Sequence, residues 1–299
     1  IRQFKPQEYY GLNLLAGEIR FSWQDPKSGS RRSFSKERME DLKAKTGNGS
    51  LEITEIEKSR KKTYAPGLYD LTELQRDANK KFGFSAKETL NIMQRLYEHH
   101  KVLTYPRTDS RYIGSDIVPT IKERLKACAV GPYRKIAGPL SMKPVKAAKS
   151  FVDDKKVSDH HAIIPTEQFV QLDHMTNEER KIYDLVVRRF CSVLYPPFEY
   201  EQTTIKGLAA GEIFTAKGKI VKEQGWKEAY DGDWSEEEEE EFQTLKELEE
   251  GRHLKIDRAD ITIGKTQPPA HFNEATLLSA MENPVRYMQT KDAKAAKTL

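Results

Sequence analysis

Leu103-Thr104-Tyr105-Pro106-Arg107-Thr108-Asp109-Ser110 sets a tyrosine hydroxyl two positions before an arginine and four before an aspartate. A tyrosine can attack phosphorus, and an arginine at that distance can hold non-bridging phosphate oxygens in bidentate fashion. Taken alone, the octapeptide also reads as a half-buried strand tyrosine running into a turn, because proline pushes the residue before it into an extended conformation. The surrounding sequence decides between the two.

Upstream, Ser85-Ala86-Lys87-Glu88 has the Ser-x-x-Glu form of a capping box. It predicts a helix that carries Leu90, Met93 and Tyr97 inward, with Gln94 and Glu98 sharing a polar face at i, i+4. The helix ends near His99, and 102–105 is extended. The tyrosine therefore sits on a strained strand-to-turn segment mounted directly on a rigid helix. An earlier helix starts at Asp70, with Glu73 in the position of a capping-box partner, runs through Leu71, Leu74, Ala78 and Phe82, and breaks at Gly83. A later one starts at Thr176 and Glu179, passes Ile182, Tyr183, Val186, Phe190 and Val193, and stops at Pro196-Pro197. Arg188 and Arg189 leave it on the polar side and are expected to be solvated.

Around this helical stretch the period is that of strands. Tyr10 to Trp23 reads as one strand and Leu51, Ile53 and Ile56 as another, with Ala65-Pro66-Gly67 as a boundary. Strand-like runs return at 200–205, 212–214 and 219–221, and Glu274, Leu277, Leu278 and Met281 resume helical spacing. The order predicts an α+β chain in which one discontinuous β-rich domain is interrupted by an α-rich domain.

A length of 299 residues suffices for roughly two to three domains, each with a core of its own. No run of roughly eighteen apolar residues and no signal-peptide pattern at Ile1 points to a membrane or to export, so a cytoplasmic location is expected. Cys128 and Cys191 lack metal-ligand neighbours and suit a reducing compartment; no zinc site is expected. The net charge of +4 is unevenly spread. Basic clusters fall at Lys58-Ser59-Arg60-Lys61-Lys62, at Arg31-Arg32 with Lys36 and Arg38, and at Lys143, Lys146, Lys149, Lys155 and Lys156. Glu236 to Glu241 is an acidic run that reads as a solvated rim. The lysine clusters fit a nucleic-acid-facing surface and a plain solvated face equally well.

Three blocks together resemble the type IA DNA topoisomerases: Gln94-Arg95-Leu96-Tyr97-Glu98, the tyrosine octapeptide, and Ser158-Asp159-His160-His161-Ala162-Ile163-Ile164-Pro165-Thr166. Phe4-Lys5-Pro6 through Tyr9, and Gln267-Pro268-Pro269-Ala270-His271-Phe272-Asn273-Glu274-Ala275-Thr276-Leu277, fit the same family in the same order. Pro106 and the His-His variant are more similar to bacterial topoisomerase III than to topoisomerase I. The resemblance implies part of a multidomain torus. Residues 1–66 would be the end of a domain IV segment and the first part of the β-rich arch, domain II. Residues 67–197 would be the α-rich, tyrosine-bearing domain III, 198–262 the second part of domain II, and 263–299 the start of the returning domain IV segment. The Asp-x-Asp-x-Glu pattern of the family's magnesium-binding Toprim domain is not found; Asp231 and Asp233 are the nearest imitation. The expectation is an excised central piece of a longer enzyme. Magnesium would be bound by the Toprim domain in the intact protein, and no cofactor is expected in this piece.

In the resembled family the tyrosine becomes joined to the 5′ phosphate of a broken single strand and the 3′ hydroxyl is kept for religation. Tyr105 is then the expected nucleophile. A free tyrosine is phenolate in only about one molecule in a thousand at pH 7, so attack by a tyrosine needs help with the proton or with phosphate charge. Arg107 is expected to stabilise that charge, with a surface ion pair to Asp109 as its plain alternative. His160 takes the place of the family histidine and is expected to hydrogen-bond the scissile region. Gln94, Glu98, Thr108 and Asp109 match polar family positions and are expected to contact DNA; Glu98 and Asp109 are equally readable as surface charges. His99, His100 and His161 stay unassigned. Expected partners are single-stranded or underwound DNA and, as the family allows, a helicase. Rolling-circle relaxases need His-hydrophobic-His, which is absent, and a tyrosine recombinase would carry its tyrosine after the Arg and His elements. A non-catalytic DNA-binding scaffold remains the alternative.

Overall fold

The computed structural model describes residues 3–231 and 242–284. The glutamate run Glu236–Glu241 and Asp233 lie outside the described residues. The described chain separates into two compact units, one of 3–62, 199–223 and 242–270, the other of 63–198, 224–231 and 271–284.

The first unit is a mixed sheet whose seven strands run in the order β2-β1-β7-β3-β4-β5-β6. They are β1 (Glu8–Ala16), β2 (Ile19–Gln24), β3 (Ser50–Thr63), β4 (Phe198–Ala209), β5 (Glu212–Glu223), β6 (Phe242–Gln243) and β7 (His253–Lys265). Strand β2 also pairs with β5, so six strands close on themselves and leave β6 appended. Closure removes the unpaired edges that an open sheet would offer to other chains. Alternation fills the interior: Leu12, Leu14 and Ala16 from β1, Ile19, Phe21 and Trp23 from β2, Leu51 and Ile53 from β3 and Phe214 from β5 are all buried in one cluster. Gly207 of β4 is a close-approach position, since a Cβ there would strike the side chain of Leu51.

The single strand expected over 10–23 is a hairpin. Gly17 at φ 56° and Glu18 at φ 69° form the two-residue left-handed turn that matches strand twist, and the chain reverses there. The basic cluster at 31–38 runs into a helix. Ser35 accepts a hydrogen bond from the Arg38 N–H and starts α1 (Lys36–Thr46), which buries Met39 and Leu42 on the barrel core.

The second unit is helical: α2 (Leu71–Phe82), α3 (Ala86–Glu98), α4 (Ile121–Cys128), α5 (Arg134–Met142), α6 (Asn177–Ser192) and α7 (Glu274–Glu282). Ser85 with Glu88 and Thr176 with Glu179 both form full capping boxes. At Asp70 only half of one forms. Its carboxylate accepts from the Glu73 N–H, but the Glu73 side chain turns to Arg76 and Arg111 instead. The inward face of α3 is Thr89, Ile92, Met93 and Leu96, rotated from the expected one. Tyr97 stays 37% exposed and does not enter the core.

Arg188 and Arg189 are not solvated. Arg188 pairs with Asp184 and Asp231, and Arg189, 3% exposed, is buried against Asp77, Tyr69 and the Gly67 carbonyl. Both sides of α6 are packed, so the face that looks polar in sequence is an internal ion-pair face. Among the described residues no helix is long and apolar enough to cross a membrane.

Glu179 does more than cap α6. Its carboxylate, 5% exposed, accepts from Arg95 Nε at 2.9 Å and faces His100 Nε2 at 3.1 Å, which ties the end of α3 to the start of α6. Burial opposes the charge, but the Thr176 N–H, Arg95 and His100 outweigh it and hold Glu179 below the usual carboxylate range. A carboxylate depressed on folding stabilises fully above its unfolded pKa, and that stability is lost as pH falls through the folded pKa. Glu179→Gln should therefore lower the thermal midpoint at pH 7, by roughly 1–3 kcal/mol of stability for the charged hydrogen bonds. Against the unsubstituted chain the deficit should shrink steadily below about pH 4. Melts at pH 7 and pH 3 check this, and a deficit independent of pH would sink it.

Candidate active site

Tyr105 lies beyond α3, on a segment fixed before the tyrosine is reached. Lys101 adopts φ 57°, a left-handed conformation that L side chains rarely adopt, and the Thr166 hydroxyl clamps it by donating to the Lys101 carbonyl at 2.6 Å. The strain expected of the mount is therefore at Lys101.

From there 102–104 runs alongside 162–166. The Thr166 N–H donates to Val102 O and the Thr104 N–H to Ile164 O, both at 3.0 Å. The Thr104 hydroxyl accepts from the Ile164 N–H and donates to Ala162 O. Leu103 and Pro165 form an isolated bridge. The 162–166 segment is held from behind as well. Tyr69 O accepts from the Ile163 N–H at 2.8 Å, Tyr112 O from the Ala162 N–H at 2.8 Å, and Pro165 O from Arg124 Nη1 at 2.9 Å. Arg124 is itself buried, reaching Thr120 and Glu167. Pro106 then pins the backbone on the far side of Tyr105.

These clamps bring the two sequence blocks face to face. The Tyr105 and His160 rings lie 4.3 Å apart between centroids at an interplanar angle of 37°, and the Tyr97 and Tyr105 rings meet edge to face at 5.5 Å and 78°. Tyr105 is half-buried in a cleft of ≈230 Å³ lined by Thr104, Gly114, Asp116, Val157, Asp159, His160 and His161. The Tyr105 hydroxyl has no hydrogen-bond partner among the described residues, so it is free to meet a ligand entering the cleft.

Arg107 is exposed and, among the described residues, has no hydrogen-bond or ion-pair partner; the pair with Asp109 does not form. An uncompensated guanidinium two residues from the tyrosine is available to an anion. Asp109 is exposed and accepts from the Ser158 hydroxyl at 3.5 Å. Thr108 is buried, and its hydroxyl donates to the His160 carbonyl at 3.1 Å and accepts from the Ser110 N–H. It joins the two blocks from inside. Gln94 donates to the Glu98 carboxylate on the exposed flank of α3. His161 donates from Nδ1 to the Ala162 carbonyl at 2.7 Å, which fixes the Nδ1–H tautomer. Burial pushes its pKa down, which disfavours the charged ring.

Two features escaped the sequence reading. Arg124 is one, because Pro165 and Glu167, which it reaches, lie some forty positions away; Tyr97 is the other, because helical spacing assigned it to the core. His100, unassigned from sequence, is the partner of Glu179. No group of three or more His, Cys, Asp or Glu side chains able to hold a metal ion occurs among the described residues. Asp231 is engaged by Arg188 and Lys135.

A family profile described as DNA topoisomerase matches residues 1–284. The chain is 55% identical over its whole length to DNA topoisomerase 3 of Bacillus cereus, and 48% identical to DNA topoisomerase 3 of Bacillus subtilis (strain 168). It spans 41% of the length of each of these relatives. The fold is similar to that of full-length topoisomerase I from Thermotoga maritima, with a TM-score of 0.71 at 22% identity over 94% of this chain and 45% of that one.

Proposed function

The chain belongs to the DNA topoisomerase family, of the type IA kind, and from that premise we propose that it carries the nucleophile of a topoisomerase III-like enzyme. Tyr105 attacks a single-strand phosphodiester, its phenolic oxygen bonds to phosphorus, and the P–O3′ bond breaks. The leaving 3′ oxygen takes up a proton and becomes a hydroxyl. The reverse displacement reseals the strand, so bond energy is conserved in the ester and no nucleotide is consumed. Between the two steps another strand passes. In this reading the closed β unit, to the end of β7 at Lys265, is the family's domain II, the helical unit other than α7 is domain III, and α7 belongs to a part of domain IV. Magnesium is supplied elsewhere in a polypeptide of the relatives' length. The substrate is single-stranded or underwound DNA, in the cytoplasm.

One observation carries the proposal: the clamped, half-buried Tyr105 has a histidine ring against it and, among the described residues, a hydroxyl without a hydrogen-bond partner and an unpaired arginine two residues on. Arg107 faces the charge that builds on the non-bridging oxygens, and His160 hydrogen-bonds the scissile region. Arg107→Ala should slow cleavage by about 10²–10³-fold, the usual effect of losing one preorganised donor at a developing charge. Arg107→Lys should recover only part, since an ammonium lacks the bidentate fork. Single-turnover cleavage rates check both.

The test of the function itself uses a polypeptide of the relatives' length carrying this chain, magnesium, and single-stranded DNA. A denaturant-resistant adduct should retain a label placed on the 3′ side of the break and lose one on the 5′ side. An adduct of the opposite polarity, or DNA binding without any adduct, would overturn the proposal; the second result would favour the non-catalytic scaffold.

A further inference from the structure

The tyrosine's backbone is fixed on both sides, by Thr104 on Ile164 and by Pro106, yet that leaves its side-chain torsions undetermined. Among the described residues no hydrogen bond from the hydroxyl settles them. Two rings do: His160 lies obliquely against Tyr105, and the Tyr97 ring meets it edge to face at 5.5 Å. Edge-to-face contact is the preferred arrangement of aromatic pairs and is directional.

Tyr97 has no evident alternative task within the fold. It lies off the buried face of α3, which is Thr89, Ile92, Met93 and Leu96, and it is 37% exposed. Its own hydroxyl makes no hydrogen bond among the described residues. What it contributes is a ring, held on the last turn of a capped helix and directed at the nucleophile. The helix end is in turn secured by Arg95 and His100 on Glu179.

We propose that Tyr97 is a positioning residue for the cleavage reaction, its ring selecting the Tyr105 rotamer that presents the hydroxyl to phosphorus. This rests on Tyr105 being the nucleophile. The requirement is for an aromatic ring, not for a hydroxyl and not for bulk alone.

The experiment compares Tyr97→Leu and Tyr97→Phe in a polypeptide of the relatives' length. It measures single-turnover cleavage, single-stranded DNA affinity, the thermal midpoint and the Tyr105 ring resonance in ring-labelled protein, assigned by its loss in Tyr105→Phe. Tyr97→Leu should slow cleavage about threefold to tenfold, the loss expected for one aromatic pair. DNA affinity and thermal midpoint should be little changed, and the Tyr105 resonance should move as the neighbouring ring current disappears. Tyr97→Phe should restore both the rate and the resonance.

A Tyr97→Leu protein that cleaves at the original rate overturns the inference. So does a defect that lies wholly in DNA affinity, which would make Tyr97 a platform for a base, and so does an equal defect in both variants. No adduct in the unsubstituted protein would remove the nucleophile assignment and this inference with it. That outcome is distinct from the others, because it appears before any change at Tyr97.

Discussion

Tyr105→Phe is expected to eliminate the covalent adduct and all strand cleavage in a polypeptide of the relatives' length, while single-stranded DNA affinity stays within about twofold and folding stability within about 0.5 kcal/mol. The loss is complete, not partial, because the ester oxygen is the reacting atom, and neither charge stabilisation by Arg107 nor hydrogen bonding by His160 can replace it. The small stability change follows from the geometry. The Tyr105 hydroxyl has no partner to orphan among the described residues, and a phenylalanine ring keeps the contacts with Tyr97 and His160. Loss of the adduct without loss of the fold separates a nucleophile from a structural tyrosine. A surviving adduct in the phenylalanine protein would move the nucleophile to another residue. Parallel adduct assays and thermal melts decide it.

What could be read from sequence was local. The Ser85 and Thr176 capping boxes are four-residue patterns and formed as written, and so did the helices they start. The turn at Gly17-Glu18 shows only as a one-residue step in the buried positions, from Leu12, Leu14 and Ala16 to Ile19, Phe21 and Trp23, and a reading of loose alternation runs across it. Strand β7 was hidden by a similar step. Its pairing with β1 shifts between Leu15 and Ala16, so its buried positions step from Leu254 and Ile256 to Ala259 and the period of two is broken.

At the site, the residues of the two motif blocks were named from their resemblance, and the structure brings Tyr105 and His160 into ring contact. The clamps that make the contact were not legible. Thr166 on Lys101, Arg124 on Pro165 and Tyr69 on Ile163 each join residues more than forty positions apart, and nothing in any one window marks them as pairs. Tyr97 shows the limit of periodicity itself. Spacing places a side chain on a face of its helix, but which face meets the core depends on neighbours from elsewhere in the chain.

Arg189→Met is expected to cost the helical unit about 3–5 kcal/mol, a fall in thermal midpoint on the order of 10 °C. The side chain of Arg189 is 4% exposed and donates to three acceptors: Asp77 Oδ2 at 2.7 Å, the Tyr69 hydroxyl at 3.1 Å and Gly67 O at 3.0 Å. Its guanidinium also lies 4.1 Å from the centre of the Tyr69 ring. Burial disfavours the charge, yet Tyr69, Tyr230 and Asp77 more than offset it and the pKa is raised, so the group is charged in place. Methionine fills a similar volume but leaves the Asp77 carboxylate, among the described residues, with only the Tyr69 hydroxyl at 2.6 Å, and strands the Gly67 carbonyl. The penalty is that of an uncompensated, part-buried charge, so removing the charge should relieve it: Arg189→Met with Asp77→Leu should recover much of the loss. If the double variant is no more stable than the single one, the cost lies in packing and not in the ion pair. The effect should also reach the site, because the Tyr69 carbonyl accepts the Ile163 N–H and so holds the segment that carries His160 against Tyr105. Below its own melting temperature the Arg189→Met protein should therefore cleave more slowly than the unsubstituted enzyme, and the double variant should regain rate together with stability.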